Sequence, residues 1–559
     1  MTITISGDHL SVADIQAVAR GERVAISTEA SVRERVAASG VRVAAALQRG
    51  EPIYGVTSLY GGMADKMVPF DHAADLQTVA LLTHRNATGP RLHADEVRAA
   101  MLLRANALMK GFSAIRLEVI QRYVDCLNAG FTPHVHRLGS IGASGDLIPL
   151  SYIGGSVLGL DPAFRVDLDG EALDCITALD RIGLTPLRPG PKEGLSLNNG
   201  TNACTGITAL ALMRMRSLMA LGFGAQALMF QALNATSQSF HPAIHAAKPH
   251  PGQVFTAACF RALLEGSAMI RDESGGERGH RGADLLQDRY SLRCLPQFTG
   301  PIVDAWVTAC AQIETEANSA NDNPLVDPVT GEVYHTGNFL AQYTAMAADS
   351  LRLNLAMMVK HLDVQIAMLV APEFSRGLPP SLVGNAGLGL NIGLKSLQIH
   401  CNSLAPLLQF HARPMIDLFP THAEQFNQNI NSQGMNAANL ARDAVEIAEQ
   451  FMACALIFAL QAVELRAGQA GGDFDATPHL SPATRALYEA ARGVIGAEGH
   501  ARPLVWNDAD AGLQERVEAL IADQRAHGGG RLSQSLAPLT AAFDRFRAEG
   551  RIPEEPEFC

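Results

Sequence analysis

The chain has 559 residues, of which 18% are charged, and its formal net charge is −12. A nucleic-acid-binding protein needs clustered Lys and Arg to displace counterions from phosphates, so this acidic chain is not expected to bind nucleic acid. An average globular chain is about 25% charged. The low charged fraction predicts that part of the surface is covered by partner subunits, and a large, well-filled monomer is the alternative.

The N-terminus and the cysteines predict a cytoplasmic enzyme with no membrane partner. The first residues, MTITISGDHLSVADIQ, have neither the charged start nor the apolar stretch of a signal peptide. The longest apolar run in the helical part, residues 451–460, is shorter than the roughly 18 residues expected of a membrane-spanning helix. The nine cysteines show no paired spacing, which argues against a disulfide framework and against a zinc knuckle.

Taken in chain order, the predicted elements divide the chain into three regions. Residues 1–200 mix short helical patterns with turn-rich stretches. Residues 201–468 form long patterns rich in Ala, Leu and Met, such as 339–369 and 438–467, which are typical of helices in the centre of a bundle. Residues 469–559 form a more charged region of shorter helices. Because strand signals are sparse, the sequence predicts a mainly α fold with a long central helical bundle.

The stretch GSIGASGDLIP (139–149) gathers small residues in a way that fold-building does not explain. It lacks the last glycine of a G-x-S-x-G nucleophile elbow and the Gly-Lys-Ser/Thr ending of a phosphate loop. A simple turn is one interpretation. In another, the backbone bends until the Gly145 nitrogen attacks the Ala143 carbonyl carbon, because glycine reaches strained backbone angles. Loss of two waters, one from the Ser144 side chain, would then leave an electron-poor ring.

This stretch resembles the prosthetic-group loop of the aromatic amino acid ammonia-lyase family, whose members build such a ring, MIO (4-methylidene-imidazol-5-one), from Ala-Ser-Gly. Further segments are similar to that family, in its order, between residue 1 and about residue 540. They are YGVTSLYGG (54–62), LNNGT (197–201), QDRYSLRCLPQ (287–297), NDNPL (321–325), GNF (337–339) and HAEQFNQNINSQG (422–434).

The resemblance is strongest to the compact bacterial phenylalanine ammonia-lyases. It implies a fumarase/aspartase-like, mainly α fold whose N-terminal domain carries the ring, formed autocatalytically from Ala143, Ser144 and Gly145. It also implies a homotetramer whose active sites draw on three chains, with neither a metal nor a nucleotide as cofactor.

The resemblance gives the matched polar residues roles in the removal of ammonia. Tyr54 would be the general base, although an unperturbed tyrosine titrates near about 10 and needs neighbouring positive charge or help from the ring's environment; a packed loop tyrosine is the alternative. Asn199 and Tyr290 would orient and polarise the ring and the amine.

The resemblance also implies a set of substrate contacts. Arg293 and Asn323 would hold the substrate carboxylate, the arginine through a bidentate fork, and Glu424 would accept the ammonium group. The other expected neighbours of the substrate are Tyr60, Leu147, Leu195, Gln287, Phe339, Lys395 and Gln428.

The histidines invite a metal interpretation that the surrounding residues oppose. His241 and His245 are four residues apart, a spacing that can bind zinc on a helix. Pro242 and the following KPHPG argue against a helix here, and no carboxylate or cysteine joins the pair. We therefore expect no metal site.

Two sequence features that are expected to select the substrate point to different amino acids. The family's aryl-selecting pair, counted from LQT (76–78), falls on Thr83 and His84, which resemble the Ser-His of histidine-type enzymes. Gln428, however, matches phenylalanine-type enzymes, since histidine-type enzymes carry a glutamate there. Tyr60, where the family usually has Phe, adds another polar group.

Thr83 and His84 can hydrogen-bond to a polar substituent on the aryl ring of the substrate. Gln428 is neutral, so it would not favour the charged imidazolium of a histidine substrate. We therefore predict an ammonia-lyase of phenylalanine/tyrosine type that tolerates polar ring substituents and releases a trans-arylacrylate. The alternatives are a histidine ammonia-lyase giving urocanate, an aromatic 2,3-aminomutase and, from a different class, a non-enzymatic helical scaffold.

Overall fold

The computed structural model describes residues 2–271, 287–417, 422–497, 499–507, 512–526 and 529–553. The described residues are mainly helical, as the sequence predicts. They group into two compact units drawn from alternating segments of the chain. The first unit comprises Met1–Met213, Ala309–Ser350 and Pro414–Arg442, and the second comprises Arg214–Thr308, Leu351–Arg413 and Asp443–Cys559.

The helices range from one short turn to the ten turns of α16. They are α1 (Val12–Ala19), α2 (Ala30–Gln48), α3 (Ala73–Thr83), α4 (Ala94–Met109), α5 (Leu117–Asn128), α6 (Leu147–Leu158), α7 (Cys175–Arg181), α8 (Glu193–Asn198), α9 (Asn202–Ala232), α10 (Pro242–Ala246), α11 (Pro251–Leu264), α12 (Tyr290–Arg293), α13 (Leu295–Ala317), α14 (Gln342–Leu369), α15 (Lys395–His411), α16 (Gly434–Gly471), α17 (Pro482–Val494), α18 (Leu513–Arg525), α19 (Arg531–Ser535) and α20 (Ala537–Glu549).

The strands are short and form four small sheets in the first unit. They are β1 (Thr2–Ile5), β2 (Arg23–Ile26), β3 (Thr88–Arg91), β4 (Thr132–Pro133), β5 (His136–Leu138), β6 (Arg165–Leu168), β7 (Glu171–Asp174), β8 (Leu325–Val326) and β9 (Val333–Tyr334). Strand β1 pairs with β2 in parallel, while β3 with β5, β4 with β6, β6 with β7, and β8 with β9 are antiparallel.

Two helices, α9 and α16, are long and apolar enough to cross a membrane by length and composition alone. In the described structure, however, 83% of the apolar window of α9 and 94% of that of α16 are buried. Residues 451–460, the longest apolar run found in the sequence, are buried throughout. These helices therefore serve as core elements, as expected of helices that are apolar on most faces.

The small side chains of Gly154 and Gly194 allow α3, α6 and α8 to approach one another closely. A β-carbon on Gly194 would lie 2.4 Å from the carbonyl oxygen of Gln77, and one on Gly154 would lie 3.2 Å from the Cβ of Leu197. The buried Gln77 amide reinforces this packing, because its Oε1 accepts from the Leu195 nitrogen at 3.2 Å. These three helices form one wall of the site described below.

The sequence argument against a helix at HPAIH is wrong. Helix α10 begins at Pro242 with His241 as its N-cap, and the His241 side chain accepts a hydrogen bond from the Ala243 nitrogen. Proline is well tolerated in the first turn, where its missing N–H has no helical partner. The buried His245 contacts the Gln253 amide at 3.1 Å and the Ser239 carbonyl at 3.0 Å, so both of its ring nitrogens have partners.

The division into regions 1–200, 201–468 and 469–559, which was based on the pattern of residues along the chain, remains a prediction. The predicted long helices of the middle region are present as α14 and α16. The compact units group the chain differently, since each is assembled from three separated segments. The last six residues of the third region lie outside the described residues.

Candidate active site

A cavity of about 470 Å³ in the first unit gathers most of the residues singled out from the sequence. Twelve of them line it: Tyr54, Tyr60, His84, Ala143, Ser144, Leu147, Leu195, Asn199, Asn323, Phe339, Glu424 and Gln428. They come from six separate stretches of sequence, 54–60, 84, 143–147, 195–199, 323–339 and 424–428. Their convergence makes this cavity the candidate active site.

The backbone of the small-residue loop is tightly bent against a neighbouring segment. Gly145 has a φ of +69°. It pairs with Gly200 in a parallel bridge, and the Asp146 nitrogen donates to the Gly200 carbonyl at 2.6 Å. A β-carbon on Gly145 would lie only 2.1 Å from that carbonyl oxygen. Position 145 therefore requires glycine both for its backbone angle and for space.

Two amide side chains hold Ser144 at the cavity wall. Asn199 Nδ2 donates to the Ser144 carbonyl oxygen at 3.0 Å, and Gln428 Nε2 donates to the Ser144 Oγ at 2.9 Å. Asn199 directly follows α8, whereas Gln428 comes from the segment before α16. Ser144 is thus fixed by groups on two different walls.

A fully buried arginine supports the segment that carries Asn199. Arg104 Nη1 donates to the Asn199 carbonyl at 3.0 Å, to Asn202 Oδ1 at 2.8 Å and to Asn321 Oδ1 at 3.1 Å. A β-carbon on Gly200 would lie 2.0 Å from the same Nη1. The Asn199–Gly200 backbone is therefore held between the guanidinium and the small-residue loop.

A buried carboxyl and a buried ion pair lie on the segments that carry the predicted site residues. Asp146 accepts from the Cys204 nitrogen at 2.8 Å, and burial raises the pKa of its carboxyl to about 6. Lys192 and Asp322 form an ion pair at 2.7 Å, and both side chains are fully buried. Asp322 precedes Asn323, so this pair anchors the segment that delivers Asn323 to the cavity.

The phenol of Tyr54 lies in surroundings that disfavour its ionised form. Burial raises the pKa of Tyr54, the hydrogen bond from the Gly61 nitrogen at 2.8 Å lowers it, and the negative charge of Glu424 raises it further. The Glu424 carboxylate packs directly on Gly61, so closely that a β-carbon on Gly61 would overlap it. Among the described residues that line the cavity there is no Lys or Arg to offset these effects.

The polar groups expected to select the aryl ring differ in their placement. His84 lines the cavity, and its Nδ1 contacts the Ala80 carbonyl at 2.6 Å. Tyr60 donates its hydroxyl hydrogen to the Leu76 carbonyl at 3.3 Å. Thr83 lies outside the lining, because its exposed hydroxyl turns back along α3 and donates to the Val79 carbonyl at 2.8 Å.

Four other predicted site residues belong to the second unit and do not line this cavity. Tyr290 is 72% exposed, and the Arg293 guanidinium lies 4.5 Å from the centre of its ring. Gln287 is exposed, and so is Lys395 at the start of α15. Arg293, the cation predicted to hold the substrate carboxylate, is therefore not among the described residues that line this cavity.

Two of the cavity-lining residues that were not predicted from the sequence, His335 and Thr336, contact predicted site residues. The Tyr54 nitrogen donates to His335 Nε2 at 3.4 Å, and the two rings meet edge to face at 6.4 Å. The Thr336 nitrogen donates to Asn323 Oδ1 at 2.7 Å, which orients that amide. Both residues directly precede GNF (337–339), and their proximity to that motif was the available signal.

Comparison with known proteins identifies the family. The model of the aromatic amino acid lyase family matches residues 10–493. The chain is 55% identical to an aromatic ammonia-lyase from Loktanella atrilutea over 98% of this chain and 100% of that protein, and 50% identical to a phenylalanine ammonia-lyase from Nostoc punctiforme over 97% and 95%. Its structure is similar to that of a tyrosine aminomutase from Streptomyces globisporus, with a TM-score of 0.84, 29% identity and coverage of 99% and 100%. The chain is therefore an enzyme of the carbon–nitrogen lyase class and belongs to the aromatic amino acid lyase family.

Proposed function

We propose that the enzyme removes ammonia from an aromatic L-amino acid of phenylalanine/tyrosine type, tolerates polar ring substituents and releases a trans-arylacrylate. The convergence of Ser144, Asn199 and Gln428 on one cavity with Tyr54 carries this proposal. The names of the two relatives, an aromatic ammonia-lyase and a phenylalanine ammonia-lyase, support it. A cytoplasmic location, with neither nucleic acid nor membrane as a partner, belongs to the same proposal.

The MIO ring is the proposed electrophile, and the residues present fit it. Gly145 is bent at a positive φ with no room for a side chain, which suits attack by its nitrogen on the Ala143 carbonyl carbon. One new C–N bond forms, and two waters leave, one of them taking the Ser144 hydroxyl. The ring, once formed, supplies an electron-poor centre that activates the substrate for loss of its amine. Asn199 would hold it through the Ser144 carbonyl oxygen, which the ring keeps, whereas the Ser144 Oγ that Gln428 contacts leaves as water.

Proton transfer falls to Tyr54 in this proposal. A general base contributes about 10² to 10⁴ in rate when its pKa is near the working pH. Burial and Glu424 both raise the pKa of Tyr54 in the single chain, so the phenolate needs a cation nearby. Arg293, predicted to hold the substrate carboxylate, and Lys395, predicted to contact the substrate, are the site cations that would supply this charge.

A homotetramer with shared active sites would resolve this shortage of positive charge. Tyr290, Arg293 and Lys395 would then reach the cavity from other subunits. Exposed apolar side chains on α15 agree with such an assembly: Ile399 is 63% and Phe410 is 65% exposed. Large exposed apolar groups on one element are typical of interfaces.

The ring selectivity follows from the hydrogen-bonding state of His84. A carbonyl oxygen only accepts, so Nδ1 of His84 carries the hydrogen that the Ala80 carbonyl receives. In the neutral ring Nε2 is then an acceptor. The Tyr60 hydrogen is likewise engaged at Leu76. Both groups therefore favour a ring substituent that donates a hydrogen bond, such as a phenolic hydroxyl.

A competition assay tests the proposal. L-phenylalanine, L-tyrosine and L-histidine are supplied at equal concentration, and products are identified by mass spectrometry. Cinnamate or coumarate is expected. Urocanate would show that the Thr83–His84 pair outranks Gln428, and a β-amino acid would reveal a mutase, the activity named for the similar structure.

A further inference from the structure

The carbonyl of Ser291 is the end point of a buried polar cluster in the second unit. Ser291 follows Tyr290 in α12. Its carbonyl oxygen accepts a hydrogen bond from Gln365 Nε2 at 2.8 Å and another from His361. Its hydroxyl contacts the Met368 sulfur at 3.1 Å. Three side chains of α14 thus hold one residue of a four-residue helix.

The direction of these hydrogen bonds is fixed by a third side chain. Gln226 of α9 donates through Nε2 to His361 Nδ1 at 2.9 Å and to Gln365 Oε1 at 3.2 Å. His361 Nδ1 is therefore an acceptor, which leaves Nε2–H as the donor to Ser291. His361 also stacks on Phe298 with 4.8 Å between ring centres.

Burying this cluster costs free energy unless each of its polar groups has a hydrogen-bond partner. Gln226, His361 and Gln365 are all buried, and a buried polar group without a partner costs about 1 to 3 kcal/mol. Burial also lowers the pKa of His361 to about 4, so the ring stays neutral at ordinary pH. The cluster is therefore neutral and directional, and its two donors reach the backbone at Ser291.

Tyr290 itself lacks comparable support. Its side chain is 72% exposed, and its described partner is the Arg293 guanidinium above its ring. The turn that bears both residues is held through Ser291 rather than through the tyrosine.

We propose that His361 and Gln365 are positioning residues that fix Tyr290 for the reaction by holding the Ser291 carbonyl. This inference rests on the proposed function, in which Tyr290 orients the ring and the amine. Misplacing a reacting group by about 1 Å can lower the rate about 100-fold. Loss of either donor is therefore expected to lower kcat about 10- to 100-fold, while ring formation, which depends on the first unit, is retained.

The test uses His361→Phe and Gln365→Met in the full chain. Phenylalanine keeps the stacking on Phe298, and methionine keeps the length of glutamine, so each change removes mainly the hydrogen bonds. His245→Phe is the matched control, because His245 is also buried between a glutamine amide and a serine carbonyl, those of Gln253 and Ser239.

The first measurement is amide hydrogen exchange of a peptide covering residues 289–295. Faster exchange is expected in both α14 variants and not in His245→Phe. Unchanged exchange in both variants would overturn the inference, whether or not the enzyme is an ammonia-lyase.

The second measurement is a double-mutant cycle with Tyr290→Phe, scored by kcat. If His361 acts through Tyr290, His361→Phe lowers kcat about 10- to 100-fold in the wild-type background and less than about 3-fold in the Tyr290→Phe background. Equal losses in both backgrounds would show a merely structural role. Failure of the proposed function is recognised separately, because the wild-type enzyme would then form no arylacrylate.

Discussion

Single residues decide whether the small-residue loop can bend as the proposed chemistry requires. The carbonyl oxygen of Gly200 leaves no space for a β-carbon at position 145, and the positive φ of Gly145 would strain any other residue. Ser144 is then presented between two amides. The loop is therefore shaped by steric exclusion at one residue and by hydrogen bonds at the next.

Gly145→Ala is expected to prevent ring formation, because the new methyl group would lie 2.1 Å from the Gly200 oxygen. Intact mass spectrometry measures this as a chain that keeps both waters. Gly170→Ala is the matched control, since Gly170 has a φ of +81° but nothing within 4 Å of the added carbon. A fully dehydrated Gly145→Ala protein would contradict the steric argument.

In a plot of kcat/KM against pH, the limb that rises as Tyr54 ionises is expected to move to lower pH in Glu424→Gln. The carboxylate opposes ionisation of Tyr54 and raises its pKa, so removing its charge lowers that pKa and gives the active phenolate at lower pH. The measurement is kcat/KM against pH. Tyr54→Phe should lower kcat/KM about 10² to 10⁴-fold and lack this limb. A limb that persists in Tyr54→Phe would assign the base elsewhere.

His84→Phe is expected to reduce the preference for L-tyrosine over L-phenylalanine about 10-fold, the effect of losing one hydrogen bond of about 1 kcal/mol or slightly more. The measurement is the ratio of kcat/KM values for the two substrates. Thr83→Val should have the smaller effect, because the Thr83 hydroxyl donates to Val79 outside the cavity. A larger change in Thr83→Val would refute the placement of the selecting group.

Among the elements, α3, α6 and α8 support the site through close packing and through buried charges that anchor its segments. The sequence predicted the long helices α14 and α16 because apolar side chains recur in them without a helix breaker. It did not predict α10, because Pro242 counts as evidence against a helix when the sequence alone is considered. A proline in the first turn is in fact compatible with a helix. Nor did it place His335 beside Tyr54, a contact between segments that local patterns do not encode.

Lys192→Met is expected to destabilise the protein by about 3 to 5 kcal/mol, because Asp322 would remain as an unpaired buried charge. The measurement is the free energy of unfolding in urea. Glu171→Gln is the control, since it breaks the exposed pair with Arg181 and should cost less than about 1 kcal/mol. Equal effects would show that the buried pair does not anchor Asn323.

At the scale of the whole molecule, the family motifs fall in both compact units, but the cavity draws on the first. Twelve predicted site residues meet there because tertiary packing joins distant motifs. The order of the motifs could not show that Tyr290 and Arg293 are absent from the described cavity lining. In the proposed tetramer these two residues would reach the cavity from other chains. The acidic, sparsely charged composition is consistent with such an assembly.

The most direct test of the central claim, that the chain makes its own electrophile, is the intact mass of the purified enzyme beside that of Ser144→Ala. This claim predicts a wild-type chain lighter than its sequence by two waters. A Ser144→Ala chain has no Ser144 hydroxyl to eliminate, so it is expected to lose at most the one water of ring closure and to form no arylacrylate. A wild-type chain of full sequence mass that still releases ammonia from an aromatic amino acid would contradict it.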